Sequence, residues 1–140
     1  MNLLKKSKCL SLLLEELNID RKNVFNSTYQ NLKSFTPINL VQTEITVSFI
    51  GENGIDGGFF TYFPINFYYI YLIGGLKREW ITLLGSEIFN SDRGLFTLSS
   101  NQLMIQPSPF SFIVPNHLIL FKFIGNLIGK VIISGYLKKN

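Results

Sequence analysis

Gly-Ile-Asp-Gly-Gly at residues 54–58 and Gly-Leu-Lys-Arg-Glu-Trp at residues 75–80 are the two stretches that decide the fold of this chain. Residues 59–74 separate them as an aromatic run without a single charged side chain. Without that run the chain would read Gly-Glu-Asn-Gly-Ile-Asp-Gly-Gly-Gly-Leu-Lys-Arg-Glu-Trp. Glycines at this density permit positive φ angles or a close approach of two backbones. The sequence therefore predicts a structural bend leading into a helix, interrupted by residues 59–74.

The composition is that of one folded domain. The 140 residues are 46% hydrophobic and 16% charged, which allows a buried core and excludes a disordered chain. The net charge of +4 comes from scattered basic residues without a stripe of interleaved aromatics, so we expect no nucleic-acid partner. The single cysteine, Cys9, excludes an internal disulfide framework and fits a reducing compartment, the cytoplasm or the nucleus.

A membrane segment is not expected. Residues 59–73 are shorter than the roughly 20 residues that a spanning helix needs, and they include Pro64 and Asn66. Residues 118–133 contain Lys122 and Lys130. The leucines near the start are not followed by a small-residue cleavage site, which excludes a signal peptide. The sequence predicts a soluble protein.

The first half of the chain predicts two helices and a strand. Leucines at helical spacing predict an amphipathic helix over the first 18 residues; they are Leu10, Leu13, Leu14 and Leu17. A second helix over residues 21–34 is expected to start at Asp20 as its N-cap, to present Val24, Thr28 and Leu32 on one face, and to stop before Pro37. Alternation of Ile45, Val47 and Phe49 with polar residues predicts a half-buried strand over residues 44–50.

The second half predicts helix, hairpin and helix. Residues 77–89 have apolar side chains at helical spacing, and residues 90–94 form a turn. Short strands over residues 95–98 and 103–105 predict a hairpin, and residues 106–115 are irregular. The last helix, residues 118–134, is expected to be capped by Asn116 and to bury a stripe of Phe121, Ile124, Gly125, Ile128 and Ile132. Gly125 and Gly129 lie on one face, where they would let another backbone approach.

Catalytic and ligand chemistry is mostly excluded by the residues present. The glycine loop lacks both phosphate-binding glycine signatures, and Glu52 with Asp56 does not make a calcium loop. The only histidine, His117, and the only thiol, Cys9, have no triad or zinc partners, so we expect no metal and no cofactor. Trp80 predicts a core anchor. Arg78 and Glu79 leave two readings open: a buried ion pair bracing the glycine loop, or an exposed helix pair.

An ordered series of short matches resembles the first part of the N-lobe of the HECT-type ubiquitin ligases. The series comprises Val47-x-Phe49-x-Gly51-Glu52-x-Gly54-Ile55-Asp56-x-Gly58, Gly75-Leu-Lys-Arg-Glu-Trp80, Gly94-Leu-Phe96, Gln106-Pro-Ser108, His117-Leu118, Phe121-Lys-Phe-Ile-Gly125 and Leu127-Ile-Gly-Lys130. Arg21-Lys-Asn23 with Leu32 is similar to the helix that opens the family's domain. Each match is weak alone, and their order makes the set specific.

The resemblance implies an α+β, mainly helical fold built as a partial N-lobe of helices around a few short strands. It divides the chain into an N-terminal helical extension, residues 1–19, and a partial N-lobe, residues 20–140, with an atypical insertion at residues 59–74. The residues carried over from the family's motifs are all structural: Phe49, Gly51, Glu52, Gly54, Asp56, Gly58, Gly75, Arg78, Glu79, Trp80, Phe96, His117, Phe123, Gly125 and Gly129.

The resemblance also implies a function. In the family, a C-lobe cysteine accepts ubiquitin as a thioester from a ubiquitin-conjugating enzyme and passes it to a substrate lysine. No catalytic residue of this chain corresponds to that cysteine, because Cys9 lies at the wrong end, so we expect the 140 residues alone to be inactive. Conjugating enzyme, ubiquitin and protein substrates are expected as partners of a full-length protein. Some members bind a second ubiquitin through hairpin tyrosines; Leu98 and Gln102 stand there here, and that site is not carried over.

Several readings stay open at this point. Residues 59–74 are a retained intron, a real loop insertion, or a membrane-touching segment, and sequencing of the messenger RNA across them decides between these. The chain is a fragment of a HECT-type ligase, or alternatively a noncatalytic binding or scaffold protein or a pseudogene product made of a truncated N-lobe. The third alternative is a small membrane-associated protein that uses residues 59–73.

Overall fold

A computed structural model describes residues 13–52 and 75–134. The elements are, in chain order, β1 (Leu13–Ile19), α1 (Val24–Leu32), α2 (Pro37–Gln42), β2 (Thr43–Phe49), α3 (Gly75–Ile88), β3 (Phe96–Leu98), β4 (Ile105–Pro107) and α4 (His117–Ile133). Two short 3₁₀ turns, Ser91–Arg93 and Ser111–Ile113, precede β3 and α4. The predicted fold class, α+β and mainly helical, is confirmed.

The helix predicted over the first 18 residues is wrong for residues 13–18, which form strand β1. Strand β1 pairs in parallel with β2, with Leu17 opposite Val47 and Ile19 opposite Phe49. Leu17 and Ile19 are fully buried, whereas Leu14 is exposed, so the side chains follow the period of a strand. The spacing of the four leucines fits a helix, and pairing with the distant strand β2 overrides that local pattern.

The predicted half-buried strand is confirmed as β2, which lies one residue earlier than the predicted residues 44–50. Ile45, Val47 and Phe49 point inward and are buried, and the side chains between them are half-buried. A parallel pair needs a crossover connection, which α1 and α2 provide between β1 and β2. The remaining core side chains come from every large element: Leu17, Ile19, Val24, Phe25, Leu32, Leu40, Trp80, Leu84, Ile88, Leu95, Phe123, Ile124 and Leu127.

Helix α1 buries the predicted face but starts later than predicted. Val24, Thr28 and Leu32 are buried, which confirms the choice of face. The helix begins at Val24 rather than Arg21, and Asp20 is not its N-cap: the Asp20 carboxylate accepts from the backbone N–H of Lys22 and closes a turn before the helix. Pro37 occupies the first turn of α2, whose N-cap Thr36 accepts from the N–H of Asn39.

The predicted helix over residues 77–89, the turn and the hairpin are confirmed, with the second strand of the hairpin shifted by two residues. Helix α3 buries Trp80, Leu84 and Ile88. Gly94 ends the 3₁₀ turn with a φ of +74°, a conformation that favours glycine. Strands β3 and β4 are antiparallel, with Thr97 opposite Gln106.

Helix α4 has the predicted extent. The predicted cap at its start and the predicted buried face are wrong. Asn116 has a φ of +59°, and its side chain makes no capping hydrogen bond with the described residues. The buried side chains are those of Phe123, Ile124, Leu127 and Lys130, whereas Ile128 and Ile132 are exposed. The buried stripe is therefore rotated around the helix relative to the prediction. Lys130 lies inward, whereas a prediction from apolar residues alone placed isoleucines there.

Gly125 and Gly129 do not mediate a close approach within the described part of the chain. A Cβ built on either glycine would have no neighbour within 4 Å outside the backbone of its own helix. The expectation that another backbone packs against these two glycines is therefore wrong for residues 13–52 and 75–134.

Candidate functional site

The structure brings together the two ends of the split motif. Phe49 and Glu52 lie at the end of β2, and Gly75, Glu79 and Trp80 lie in the first turns of α3. Three motif residues, Gly54, Asp56 and Gly58, fall outside the described residues, as does the insertion at residues 59–74. The site can therefore be described from its two flanks.

One guanidinium, that of Arg21, connects both flanks. Its Nε and Nη2 donate to the two carboxylate oxygens of Glu52, at 2.6 and 2.9 Å, in the bidentate geometry that suits a guanidinium. Its Nη1 donates to Glu79 Oε1 at 2.6 Å. The same guanidinium lies 4.1 Å from the centre of the Phe49 ring. We name Arg21, Glu52 and Glu79 the arginine clamp.

The clamp is electrostatically coupled and open to solvent. Hydrogen bonds from Arg21 hold the pKa of the Glu52 carboxyl below its ordinary value, and hydrogen bonds to Glu52 and then to Glu79 raise the pKa of Arg21. The three side chains are each about 40% exposed, between 39% and 43%. Solvent screens such pairs, so the clamp sets geometry more than it adds stability.

The backbone around the clamp explains how these side chains meet. The N–H of Asn23 bonds the carbonyl of Asp20, which turns the chain so that Arg21 stands between β1 and α1. After β2, the N–H of Glu52 bonds the carbonyl of Phe49, and Gly51 between them has a φ of +84°. A residue with a Cβ is strained at that angle, so glycine favours the turn that brings Glu52 to Arg21.

Beneath the clamp, Trp80 anchors α3 to α1. Its side chain is 1% exposed, and its indole N–H donates to the Thr28 hydroxyl at 2.9 Å. A buried indole needs such a partner, which the sequence prediction of a core anchor did not identify. One turn earlier, the Lys77 ammonium donates to Glu44 at 2.9 Å and ties α3 to β2.

Glu87 makes a second junction that the sequence did not reveal. Its carboxylate accepts from the backbone N–H groups of Val24 and Phe25, at 2.8 and 2.9 Å, and so caps α1 from α3. Arg93 donates to the same carboxylate at 2.6 Å and lies over the Phe25 ring. A glutamate on the inward face of a predicted helix was the available signal, because a carboxylate that is partly removed from water requires donors.

Lys130 makes a third junction. Its ammonium is buried in α4 and donates to the backbone carbonyls of Val41 and Thr43, at 3.2 and 2.6 Å. These carbonyls lie where α2 ends and β2 begins, so Lys130 fixes the helix-to-strand turn. Burial lowers the pKa of Lys130, and the nearby Glu44 carboxylate partly offsets that effect.

Two aromatic motif residues lie in the core or on its border, whereas Gly75 and Gly125 are exposed. Phe123 packs edge-on against Tyr29 and Phe25, and Phe96 against Phe89 and Phe121.

Three further motif residues, His117, Arg78 and Glu79, are not part of the buried core. His117 is half-buried, with its ring edge-on to Phe121. Arg78 is exposed, and Glu79 pairs with Arg21 instead of with it, so neither reading of an Arg78–Glu79 pair is correct. Thr82 donates to the Arg78 carbonyl within α3.

The interactions of the described residues join elements of the fold. No cluster of three or more His, Cys, Asp or Glu side chains able to hold a metal occurs among residues 13–52 and 75–134. Cys9 lies outside the described residues. In the same part of the chain, no helix is both long and apolar enough to cross a membrane. The arginine clamp, the Glu87 junction and the Lys130 junction all connect elements that are distant in sequence.

The matches to known proteins agree with the resemblance found in the sequence. The family model of the HECT domain, a ubiquitin-transferase domain, matches residues 82–139, from within α3 past the end of α4. The resemblance predicted from the sequence is confirmed: over these residues the chain is similar to the HECT domain.

Ubiquitin ligases from plants, fungi and animals align with most of the chain. It is 33% identical over 121 residues to the E3 ubiquitin-protein ligase UPL1 of Arabidopsis thaliana, 35% over 114 residues to RSP5 of Saccharomyces cerevisiae, and 32% over 124 residues to Nedd-4 of Drosophila melanogaster. The alignments cover 86%, 81% and 87% of this chain, but 3%, 12% and 11% of those proteins. The chain thus spans 12% or less of the length of these relatives.

Proposed function

We propose that this chain is a segment of a HECT-type ubiquitin-protein ligase and serves as part of its N-lobe scaffold. The observation that carries the proposal is the similarity to E3 ubiquitin-protein ligases over more than four fifths of the chain. The junctions at Arg21, Glu87 and Lys130 support it, because each holds two or more elements in a fixed relation.

The whole ligase would act by covalent catalysis. A cysteine thiolate attacks the thioester that links ubiquitin to a conjugating enzyme, and the conjugating enzyme's thiol leaves. The amine of a substrate lysine then attacks the new thioester, an amide forms, and the ligase thiol is released. Conjugating enzyme, ubiquitin and protein substrates are the partners of this cycle, in the cytoplasm or the nucleus. The residues of this chain would position the parts and supply no nucleophile.

A charging assay tests the role of the chain itself. We expect the 140-residue chain, incubated with activating enzyme, conjugating enzyme, ubiquitin and ATP, to form no thioester with ubiquitin. The HECT domain of RSP5 in parallel is the positive control. A ubiquitin adduct on this chain that disappears with reducing agent and is lost in Cys9→Ser would contradict the assignment of a scaffold role.

A chimera tests whether the chain is a ligase segment. The aligned segment of RSP5 is replaced by residues 20–139 of this chain, once with and once without residues 59–74. We expect at least one of the two folded chimeras to accept ubiquitin on the RSP5 cysteine. The matched control carries Trp80→Asp, which disrupts the anchor of α3 and is expected to abolish charging. Folded chimeras that both fail to charge would favour the noncatalytic scaffold instead.

The messenger RNA decides between the remaining alternatives. A transcript that continues beyond Asn140 into a cysteine-bearing lobe supports the ligase, and a stop codon there supports the scaffold or a pseudogene product. Reads that lack the codons of residues 59–74 identify this stretch as an intron.

A further inference from the structure

Three ionisable side chains from three different elements come together where β2 begins. Lys77 lies on α3, Lys130 lies on α4, and Glu44 is the second residue of β2. Lys130 is 3% exposed and Lys77 7%, and the Glu44 side chain is 20% exposed. Lysine and glutamate are seldom removed from water to this extent unless they are paired. The cluster therefore differs from the arginine clamp, whose members are all open to solvent.

The two lysines hold the same short stretch of backbone from two different helices. Lys130 Nζ donates to the Thr43 carbonyl at 2.6 Å, and this carbonyl belongs to the peptide bond that joins Thr43 to Glu44. Lys77 Nζ donates to the Glu44 carboxylate at 2.9 Å. The Thr43 hydroxyl in turn donates to the Asn39 carbonyl at 2.6 Å and ties the same turn to α2. Helices α3 and α4 are thus attached to two consecutive residues of one strand.

The charges of the cluster act on one another. Burial has the largest effect on the pKa of Lys130 and lowers it, the Glu44 carboxylate raises it, and the Lys77 ammonium lowers it. Helix α2, which also packs against α4, adds no charge, because residues 37–42 contain no ionisable side chain. Solvent screens charges poorly at buried positions, so attraction and repulsion between these groups persist over several ångströms.

We propose that Glu44 is the common counter-charge of Lys77 and Lys130 and that it couples α3 to α4. The carboxylate offsets two ammonium groups that repel each other, so the loss of Glu44 weakens the attachment of both helices to β2. A change of charge on α3 thereby alters the attachment of α4. The coupling concerns the fold alone, so its failure would leave the proposed ligase segment untouched.

Two double-mutant cycles, measured by urea unfolding at pH 7, test the proposal. Because like charges repel, Lys77→Met with Lys130→Met is expected to destabilise the chain more than the sum of the single changes. Because opposite charges attract, Glu44→Gln with Lys130→Met is expected to destabilise it less than the sum. Each coupling should be about twofold or more in the folding equilibrium constant. The matched control is the cycle of Glu44→Gln with Lys122→Met, which is expected to be additive because Lys122 is exposed on the same helix.

Titration of the Lys130 ammonium by nuclear magnetic resonance tests the same coupling with Lys130 in place, and so does not depend on the folding of Lys130→Met. Glu44→Gln is expected to lower the pKa of Lys130, and Lys77→Met is expected to raise it, relative to the natural chain. Additivity in either lysine cycle overturns the proposal, and so does a coupling of the opposite sign. A pKa of Lys130 that neither substitution changes overturns it as well, since Lys130 would then respond to burial alone.

Discussion

Glu87 and Val24 lie 63 residues apart in the chain, and the carboxylate of one accepts from the backbone N–H of the other at 2.8 Å. The same carboxylate bonds Phe25 and Arg93, so a single side chain closes the start of α1 and fixes the turn after α3. A carboxylate from another helix thus caps the N-terminus of α1.

Replacing Glu87 by glutamine is expected to destabilise the chain by about 1–2 kcal/mol, because one amide oxygen cannot serve two helix N–H groups and a guanidinium. Urea unfolding followed by circular dichroism measures the change. Glu16→Gln is the matched control, since Glu16 is exposed on β1 and is expected to change stability by less than about 0.5 kcal/mol. Equal effects of the two variants would refute the capping role.

The arginine clamp predicts an acid-dependent loss of stability. The pKa of Glu52 is lowered in the folded chain, so its contribution is present above the ordinary glutamate pKa of about 4.3 and is lost as the pH falls through the folded value. The melting temperature of the natural chain should exceed that of Arg21→Ala at pH 7, and the difference should shrink below about pH 4. Lys22→Ala removes an exposed charge next to it and should show no such pH dependence.

A double-mutant cycle tests the pairing of Trp80 with Thr28. Trp80→Phe leaves the threonine hydroxyl without its donor, and Thr28→Val leaves the indole N–H unpaired, so each costs about 1–3 kcal/mol. Because the two changes remove the same bond, the double variant should be less destabilised than the sum, by about 1 kcal/mol. The control cycle combines Trp80→Phe with Thr82→Val, and strict additivity in both cycles would contradict the hydrogen bond.

Lys130 predicts a rise in stability at alkaline pH. Its pKa lies below the ordinary value of 10.5 in the folded chain, so the folded state releases the proton before the unfolded state. Stability should therefore increase between the folded pKa and about 10.5, relative to Lys130→Met. Lys122→Met, on the exposed side of the same helix, is the control. A stability difference between the natural chain and Lys130→Met that stays constant with pH would show that burial does not perturb the ammonium.

Deletion of residues 59–74 is expected to leave the described core intact. Glu52 and Glu79 bond the same guanidinium, and Trp80 anchors α3 independently of the segment between them. Shortening the connection from residues 53–74 to six residues should stabilise the chain by about 1 kcal/mol through loop-closure entropy. Thermal unfolding checks this, with a Gly/Ser replacement of equal length as the control. A large loss of stability on deletion alone would show that the segment belongs to the core.

The sequence predicted those elements whose signal is local. Alternation identified β2, helical spacing identified α3 and the extent of α4, and the glycine and asparagine turns bounded the hairpin. Strand β1 was missed because four leucines recur at helical spacing, and only its pairing with Val47 and Phe49 selects the strand. The buried face of α4 was missed because a lysine occupies it. Lys130 is only 3% exposed, and its ammonium can be buried because it donates to a backbone carbonyl of another element.

The contacts made by Arg21, Glu87 and Lys130 could not be predicted from the sequence for the same reason. Glu52 and Glu79 were identified as motif residues, but their common partner, Arg21, was noted only within a helix signature. No local pattern indicates that one guanidinium will meet two carboxylates located 31 and 58 residues away. The helix cap by Glu87 and the turn fixed by Lys130 likewise depend on contacts between distant elements.

The parallel pairing of β1 with β2 has a consequence for how the chain acquires its shape. Both strands and the two helices between them lie within residues 13–49, so this unit contains its own crossover and needs no residue beyond Phe49 to pair. Its core is completed by α3, which brings Trp80 against Thr28 and the Glu87 carboxylate to the start of α1. The contacts that join this unit to α3 are thus made by side chains outside the connection between Glu52 and Gly75.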